Sequence, residues 1–163
     1  MIHQGINLFI VDDNKLLVAD LKNFLHNRFG VSVNITTFYD GESCLEKIDS
    51  ETHIVILDYQ LGDVNGLEVL KKIKAINPKT EVIMLSGSED MAIAIESFRI
   101  GAKDYVIKGG KSWKKLNKII NLILTEPIRI LVREFGVSKF VAIFILTFTI
   151  MGGLVIWAVT YMK

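Results

Sequence analysis

The chain has 163 residues, 50% of them hydrophobic, and its formal net charge at pH 7 is +1. This length fits about one domain, with a core large enough to need neither disulfides nor a structural metal. Cys44 is the single cysteine, which excludes an internal disulfide and favours a reducing compartment such as the cytosol. The three histidines, His3, His26 and His53, lack the spacing of metal ligands, so we interpret them as surface or packing residues.

The near-neutral total conceals two parts of opposite charge. Residues 1–110 hold 11 basic and 16 acidic residues, a net charge of −5, whereas residues 111–163 hold 8 basic and 2 acidic residues, a net charge of +6. Beside an apolar run, such a basic stretch more often faces an anionic membrane leaflet than nucleic acid. The opening MIHQGINLFIVDDN lacks the basic region and long apolar core of a signal peptide, which predicts that the acidic part stays in the cytoplasm.

Residues 7–107 alternate short apolar runs with helical patterns. The runs, which predict β-strands, cover 8–11, 31–38, 53–57, 81–85 and 104–107. The helical patterns cover 15–28, 41–49, 66–76, 90–100 and 112–125. Several runs are apolar throughout, which is typical of strands covered on both faces. Five such units predict an α/β fold with a flavodoxin-like five-stranded parallel sheet and helices on both faces.

Polar side chains follow four of the predicted strands at their carboxyl ends. These residues are Asp12 and Asp13, Asp58, Ser86 and Lys108. The first and third strands are neighbours in the flavodoxin-like order, so we expect the three carboxylates to converge on one crevice and to need a cation. Hard oxygen ligands of this kind suit Mg²⁺. An acidic pair by itself also fits the cap of the following helix, but the four strand ends together favour a site for magnesium and phosphate.

The segments around these residues read FIVDDN, VILDYQLGDVNGLEVLKKIK, VIMLSGSED and GAKDYVIKGG. Over about residues 7–125 they resemble the CheY-like receiver domain of response regulators, the phosphoacceptor module of two-component signalling. The resemblance implies that Asp58 accepts a phosphoryl group from a sensor histidine kinase or a phosphotransfer protein. The chain's own chemistry would then be limited to self-catalysed phosphotransfer and autodephosphorylation.

The same resemblance implies a Mg²⁺ site built from three aspartates and one backbone group. Asp13 and Asp58 would bind the ion directly, together with the backbone carbonyl of Gln60. Asp12 would assist through a water molecule.

The resemblance also implies how the phosphoryl group is bound and sensed. The carboxylate of Asp58 would attack phosphorus, while Mg²⁺ and Lys108 offset the charge on the transferring oxygens. Ser86 would hydrogen-bond the phosphoryl group, and its movement would vacate space for Tyr105, the aromatic that moves inward on activation.

Two stretches depart from the family pattern. The family usually has proline after the lysine, whereas Gly109-Gly110 follows Lys108, and the freedom of glycine leaves the lysine less firmly positioned. Gly62 and Asp63 stand where the family more often has proline and a neutral residue, which predicts a more mobile loop after the phosphoacceptor. Neither change removes a reacting group.

The end of the chain carries 23 residues without a charged side chain, at 140–162. At about 1.5 Å per residue, a helix of this length spans roughly 34 Å, against a hydrocarbon core of about 30 Å. A buried core helix is the alternative, but the predicted sheet and helices leave no layer to cover it. We therefore predict a receiver domain at 1–125, a basic juxtamembrane connector at 126–139 and a transmembrane helix at 140–162.

The residues around this span predict its orientation. Three basic residues precede the span and one follows it: Arg129, Arg133, Lys139 and Lys163. This excess places the N-terminal side in the cytoplasm, at a bacterial inner membrane, and the aromatic Trp157 and Tyr161 fit the distal interface. Pro127 predicts a helix break, so that 128–135 forms either a short helix on the headgroups or a charged linker.

Two classes of function fit these expectations. The first is a membrane-anchored response regulator that signals by phosphorylation-dependent partner binding or self-association. The residues after 125 leave no room for a helix-turn-helix DNA reader, so nucleic acid is not an expected partner. The second is an adaptor subunit that uses the receiver fold as a docking module for a membrane protein or a second copy. A phosphate sink would share the chemistry of the first class, and the costly carboxylate cluster favours that chemistry over a pure scaffold.

Overall fold

The architecture comes from a computed structural model, which describes residues 5–62, 64–135 and 137–161. Side chains are outside this description at 126–135, 137–142, 155–156, 158–159 and 161. The chain divides into two compact units, Met1–Ile120 and Asn121–Lys163.

The strands of the first unit form a parallel α/β sheet. In chain order the elements are β1 (Ile6–Val11), α1 (Lys15–Phe29), β2 (Val33–Phe38), α2 (Gly41–Leu45), β3 (Thr52–Asp58), β4 (Gln60–Leu61), β5 (Val64–Asn65), α3 (Gly66–Ile76), β6 (Glu81–Ser86), α4 (Met91–Ile100), β7 (Asp104–Ile107), α5 (Ser112–Phe135) and α6 (Val137–Tyr161). Within the described residues the main sheet has five strands in the order β2-β1-β3-β6-β7, all parallel. This is the flavodoxin-like order, so the predicted fold class is confirmed for this unit.

The apolar runs form the central strands because both faces of the sheet are covered by helices. Leu8, Ile54 and Ile83 are fully buried, one on each of the three central strands. The helices cover the sheet with buried side chains at helical spacing, such as Val18, Leu21 and Leu25 of α1 and Val69, Leu70 and Ile73 of α3. Burial of these apolar surfaces is the main source of stability for the unit.

Two predicted helix ends differ from the structure. α2 ends at Leu45, because the N–H groups of Lys47 and Ile48 donate to the carbonyls of Cys44 and Leu45, so the chain continues in tighter turns. The predicted break at Pro127 is wrong, since α5 runs through this position to Phe135. A proline removes one N–H from the helical ladder, and a helix of 24 residues tolerates that loss.

A small antiparallel hairpin follows β3, and the sequence analysis does not predict it. Gln60 pairs with Asn65, and Leu61 pairs with Val64. Gly62 has φ +59°, a left-handed conformation that favours glycine in the turn. Asp63 lies outside the described residues, and the predicted mobility of this loop stays a prediction.

The second unit contains the helix α6, on which large apolar side chains are exposed. They are Ile143, Phe144, Ile145, Leu146, Phe148, Ile150, Met151, Leu154 and Trp157. In the described part of the chain, no helix has both the length and the apolar character that crossing a membrane requires. The predicted span 140–162 includes positions outside that description and stays a prediction.

Candidate functional site

The carboxyl edge of the sheet brings the three predicted aspartates together. One carboxylate oxygen each from Asp12, Asp13 and Asp58 lies within 4.8 Å of the others. Asp12 and Asp58 are 1% and 3% exposed, whereas Asp13 is open to solvent. β1 and β3 are hydrogen-bonded neighbours, so the residues at their carboxyl ends converge as predicted.

The ammonium group of Lys108 lies between the two buried carboxylates. Its Nζ is 2.8 Å from Oδ2 of Asp12 and 2.8 Å from Oδ2 of Asp58. The backbone N–H of Lys108 donates to the carbonyl of Ser86 at 2.7 Å, which fixes the end of β7 against β6. The lysine thus lies at the acidic cluster, while its pairing with a phosphoryl group stays a prediction.

Burial and the two ion pairs shift the protonation of this cluster. Burial raises the pKa of the Asp58 carboxyl above its ordinary value of 3.8; the hydrogen bond from Lys108 opposes this rise, and the negative charge of Asp12 adds to it. Burial lowers the pKa of Lys108, but hydrogen bonding to Asp12 and Asp58 and their negative charges together outweigh that effect and raise the pKa above 10.5. At Asp58, burial and the charge of Asp12 therefore outweigh the opposing effect of the single ammonium on its pKa.

The donor set of this cluster fits a divalent cation. Three carboxylates and one ammonium carry a formal charge of −2. Carboxylate oxygens are the hard ligands that Mg²⁺ prefers, and Asp13 is open to solvent, where a bound ion would keep some of its waters. The backbone of Gln60 lowers the pKa of the Asp58 carboxyl, against the larger effect of burial, while the use of its carbonyl as a ligand stays a prediction.

The two predicted switch residues are joined through the backbone of one residue, Ser88. Ser86 and Tyr105 are buried, 1% and 7% exposed. The N–H of Ser88 donates to Oγ of Ser86 at 3.0 Å, and the hydroxyl of Tyr105 donates to the carbonyl of Ser88 at 2.9 Å. Tyr105 therefore lies inside the protein, and its hydroxyl holds the loop that starts directly after Ser86.

Two residues that position the site were missed by the sequence reasoning. Asn14 caps α1, and its N–H donates to Oδ1 of Asp12 at 2.9 Å. A Cβ on Gly66 would lie 2.3 Å from the carbonyl oxygen of Asp58, so glycine lets α3 begin directly against the end of β3. An asparagine before a helical pattern was a readable sign of the cap, but nothing local in the sequence signals the close approach at Gly66.

An acidic cluster, a hydroxyl and a lysine at the carboxyl edge of a flavodoxin-like sheet define a phosphoryl-binding α/β protein of the doubly wound class. The family model described as the response regulator receiver domain matches residues 8–121. The chain therefore belongs to the response regulator receiver family.

Known proteins resemble the chain mainly over this domain. The transcriptional regulatory protein ZraR of Escherichia coli K12 is 29% identical over 109 residues, which cover 66% of this chain and 24% of ZraR. The transcriptional regulatory protein CssR of Bacillus subtilis is 28% identical over 136 residues, 82% of this chain and 59% of CssR. Among solved structures, the BeF₃-activated receiver domain of DrrB has a TM-score of 0.65 at 29% identity, covering 74% of this chain and 97% of that one. The chain thus spans a quarter to three fifths of the length of these two curated relatives.

Proposed function

We propose that this chain is a membrane-anchored response regulator that takes a phosphoryl group on Asp58, with Mg²⁺ bound beside it. As a receiver domain of a two-component response regulator, the chain is a phosphoacceptor, and receiver domains are phosphorylated by histidine kinases or phosphotransfer proteins. The observation that carries the assignment to Asp58 is its position. It is a buried carboxylate at the end of a central strand, 2.8 Å from the ammonium of Lys108 and beside two further carboxylates.

In this proposal a carboxylate oxygen of Asp58 attacks the phosphorus of a phosphohistidine. The bond between phosphorus and the imidazole nitrogen breaks, and its electron pair stays on that nitrogen. Lys108 already contacts Oδ2 of Asp58, so it is placed to pair with an oxygen of the arriving phosphoryl group. Oγ of Ser86 accepts a hydrogen bond from Ser88, which leaves the hydroxyl hydrogen to be donated to the same group. Bound Mg²⁺ supplies positive charge for the phosphoryl oxygens.

Phosphorylation then changes the loop between β6 and α4. Movement of Ser86 toward the acyl phosphate weakens its bond with the N–H of Ser88, while the carbonyl of Ser88 holds Tyr105. A local change of charge is thereby passed to the surface that follows this loop. α4 exposes the apolar side chains of Met91, Ile95 and Phe98, at 70%, 55% and 50%, which supports output through partner binding or self-association.

The proposed anchor is the helix at 140–162. Its support is the run of 23 uncharged residues, the helical conformation over Val137–Tyr161 and the apolar side chains exposed along it. The excess of basic residues before the span supports a receiver domain on the cytoplasmic side of a bacterial inner membrane. Anchoring raises the effective concentration of the receiver toward kinases and targets in the same membrane.

Phosphorylation is tested with the full chain in liposomes, Mg²⁺ and acetyl phosphate as the phosphodonor. We expect intact-mass spectrometry to show one added phosphoryl group on the wild type and on the control Asp40→Asn, and none on Asp58→Asn. Asp40 caps α2 by accepting the N–H of Ser43 at 2.7 Å, and asparagine caps equally well. A folded, Mg²⁺-binding wild type that takes up no phosphate would count against both switch and sink and would favour the adaptor. If the lifetime of the phosphorylated form has no effect on the binding of any partner, the result would favour the sink.

Anchoring is tested by adding charge to the helix. We expect Ile150→Lys combined with Leu154→Lys to shift the chain from the carbonate-resistant membrane fraction of bacterial cells to the soluble fraction. Each lysine near the bilayer centre costs about 3 kcal/mol. Val31→Lys is the control, because it adds one lysine at a position that is 94% exposed. Carbonate extraction of the wild type, or membrane retention of the double variant, would contradict the anchor.

A further inference from the structure

The loop after Lys108 has little to fix its conformation. Gly109 and Gly110 carry no side chains that restrict the backbone. Among the described residues, no atom beyond the chain neighbours lies within 4 Å of a Cβ placed on either glycine, so no packing contact holds the loop on the side where a side chain would extend. The ammonium of Lys108 nevertheless contacts both buried carboxylates. Hydrogen bonds from elsewhere must therefore fix the backbone from which this side chain extends.

Ser112 supplies these hydrogen bonds. Its hydroxyl donates to the carbonyl oxygen of Gly109 at 2.6 Å, and its backbone N–H donates to the same oxygen at 3.0 Å. The N–H of Gly109 donates in return to Oγ of Ser112 at 3.4 Å. Ser112 is 6% exposed, so water competes little for these bonds. The serine thus holds the residue next to Lys108 through both its N–H and its carbonyl.

Contacts with α1 and the core fix the start of α5, where Ser112 lies. The indole N–H of Trp113 donates to Oδ2 of Asp20 at 2.9 Å, and its ring stacks on Phe24 with centroids 6.4 Å apart. Leu116 is fully buried one turn further on. The first turn of α5 is therefore held by contacts with α1 and with the core. The hydrogen bonds of Ser112 in turn fix the position of Gly109.

We infer that Ser112 is a positioning residue for the phosphoryl transfer, because it fixes the loop that aims Lys108 at Asp58. The inference rests on the proposed phosphoacceptor function. Ser112 takes over the task of the proline that the family usually has after the lysine. Its hydroxyl touches no reacting atom and acts on the reaction through the backbone of Gly109.

The test compares Ser112→Ala with Ser112→Thr in the full chain. We expect Ser112→Ala to slow Mg²⁺-dependent phosphorylation by acetyl phosphate about tenfold, less than the loss of a whole charge-stabilising donor, and Ser112→Thr to restore the rate. Ser43→Ala is the matched control, since it removes a hydroxyl that bonds Asp40 in the first turn of α2. Magnesium affinity, measured by calorimetry, should stay constant or rise in Ser112→Ala, because a displaced Lys108 competes less for the carboxylates.

The inference is overturned if Ser112→Ala reacts within about twofold of the Ser43→Ala control, or if its rate and its magnesium affinity fall together as in a damaged fold. A wild type that takes up no phosphate would defeat the proposed function instead. Hydrogen exchange of the segment 108–112 then decides on the positioning role. Faster exchange in Ser112→Ala, reversed in Ser112→Thr, supports the fixed loop, and unchanged exchange refutes it.

Discussion

Gly66→Ala tests how tightly α3 is set against the phosphoacceptor strand. The new Cβ would lie 2.3 Å from the carbonyl oxygen of Asp58 and 2.8 Å from Cα of Tyr59, whereas ordinary contacts begin at 3.4 Å. The shortfall to the oxygen is about 1.1 Å, and both neighbours are backbone atoms. The N–H of Gly66 also donates to the carbonyl of Tyr59 at 2.7 Å, so neither segment can move without loss.

The magnitude follows from this geometry. Overpacking against movable side chains costs about 1–3 kcal/mol, and a clash with backbone falls at the upper end, so we expect a loss of about 3 kcal/mol in the free energy of unfolding. Movement of the Asp58 backbone by about an ångström should also slow phosphorylation by roughly 100-fold. Urea unfolding followed by circular dichroism measures the first effect, and acetyl phosphate kinetics measure the second.

Gly87→Ala provides the comparison for both assays. No atom lies within 4 Å of a Cβ at Gly87 in the described structure, so this variant should unfold within about 0.5 kcal/mol of the wild type. If Gly66→Ala matched Gly87→Ala in stability and in phosphorylation rate, the inference that α3 packs too closely against Asp58 to admit a Cβ would be refuted.

Four further predictions concern the charged cluster and the switch. Magnesium at ten times its dissociation constant should stabilise the wild type against urea by about 1.4 kcal/mol but not Asp58→Asn, and equal shifts would refute the site. Without magnesium, Asp58→Asn should be more stable than the wild type at pH 7. This advantage should shrink as pH falls through the raised pKa of Asp58 toward 3.8, and a constant difference in urea titrations would contradict it. Because the pKa of Lys108 is raised, its stabilisation is present below pH 10.5 and lost above it, so the stability difference from Lys108→Met should vanish at high pH. Tyr105→Phe should cost about 1 kcal/mol in urea unfolding, because the carbonyl of Ser88 loses its bond, and no change would argue against that contact.

The sequence predicted the acidic cluster because one rule of topology places it. Parallel strands end at a common edge, so residues that directly follow apolar runs must meet there. Asp58 and Lys108 needed no further information to be placed together. The double ion pair of Lys108 was not predictable, since a long side chain has many rotamers and its choice depends on charges brought in by other strands.

The features that the sequence missed are those without a repeating pattern. Strands of two residues, such as Gln60–Leu61, have no periodicity to detect, and Gly62 was a local sign of the turn between them. Pro127 led to the opposite error, the prediction of a helix break that is not there. The low helix propensity of proline was outweighed by the helix on either side. The role of Ser112 was not predicted, since it depends on the conformation of the loop after Lys108, which the sequence pattern does not give.

The buried position of Tyr105 limits how strong the proposed switch can be. A partner that binds only the form with the aromatic inside gains affinity in proportion to the increase in that population. If half of the unphosphorylated molecules already hold Tyr105 against Ser88, complete phosphorylation raises partner affinity by at most about twofold. A large increase in partner affinity on phosphorylation would require Tyr105 to point outward in most unphosphorylated molecules. In the proposed switch, the hydrogen bond between Tyr105 and Ser88 would set the dynamic range of the signal, and weakening it would widen that range at the cost of maximal output.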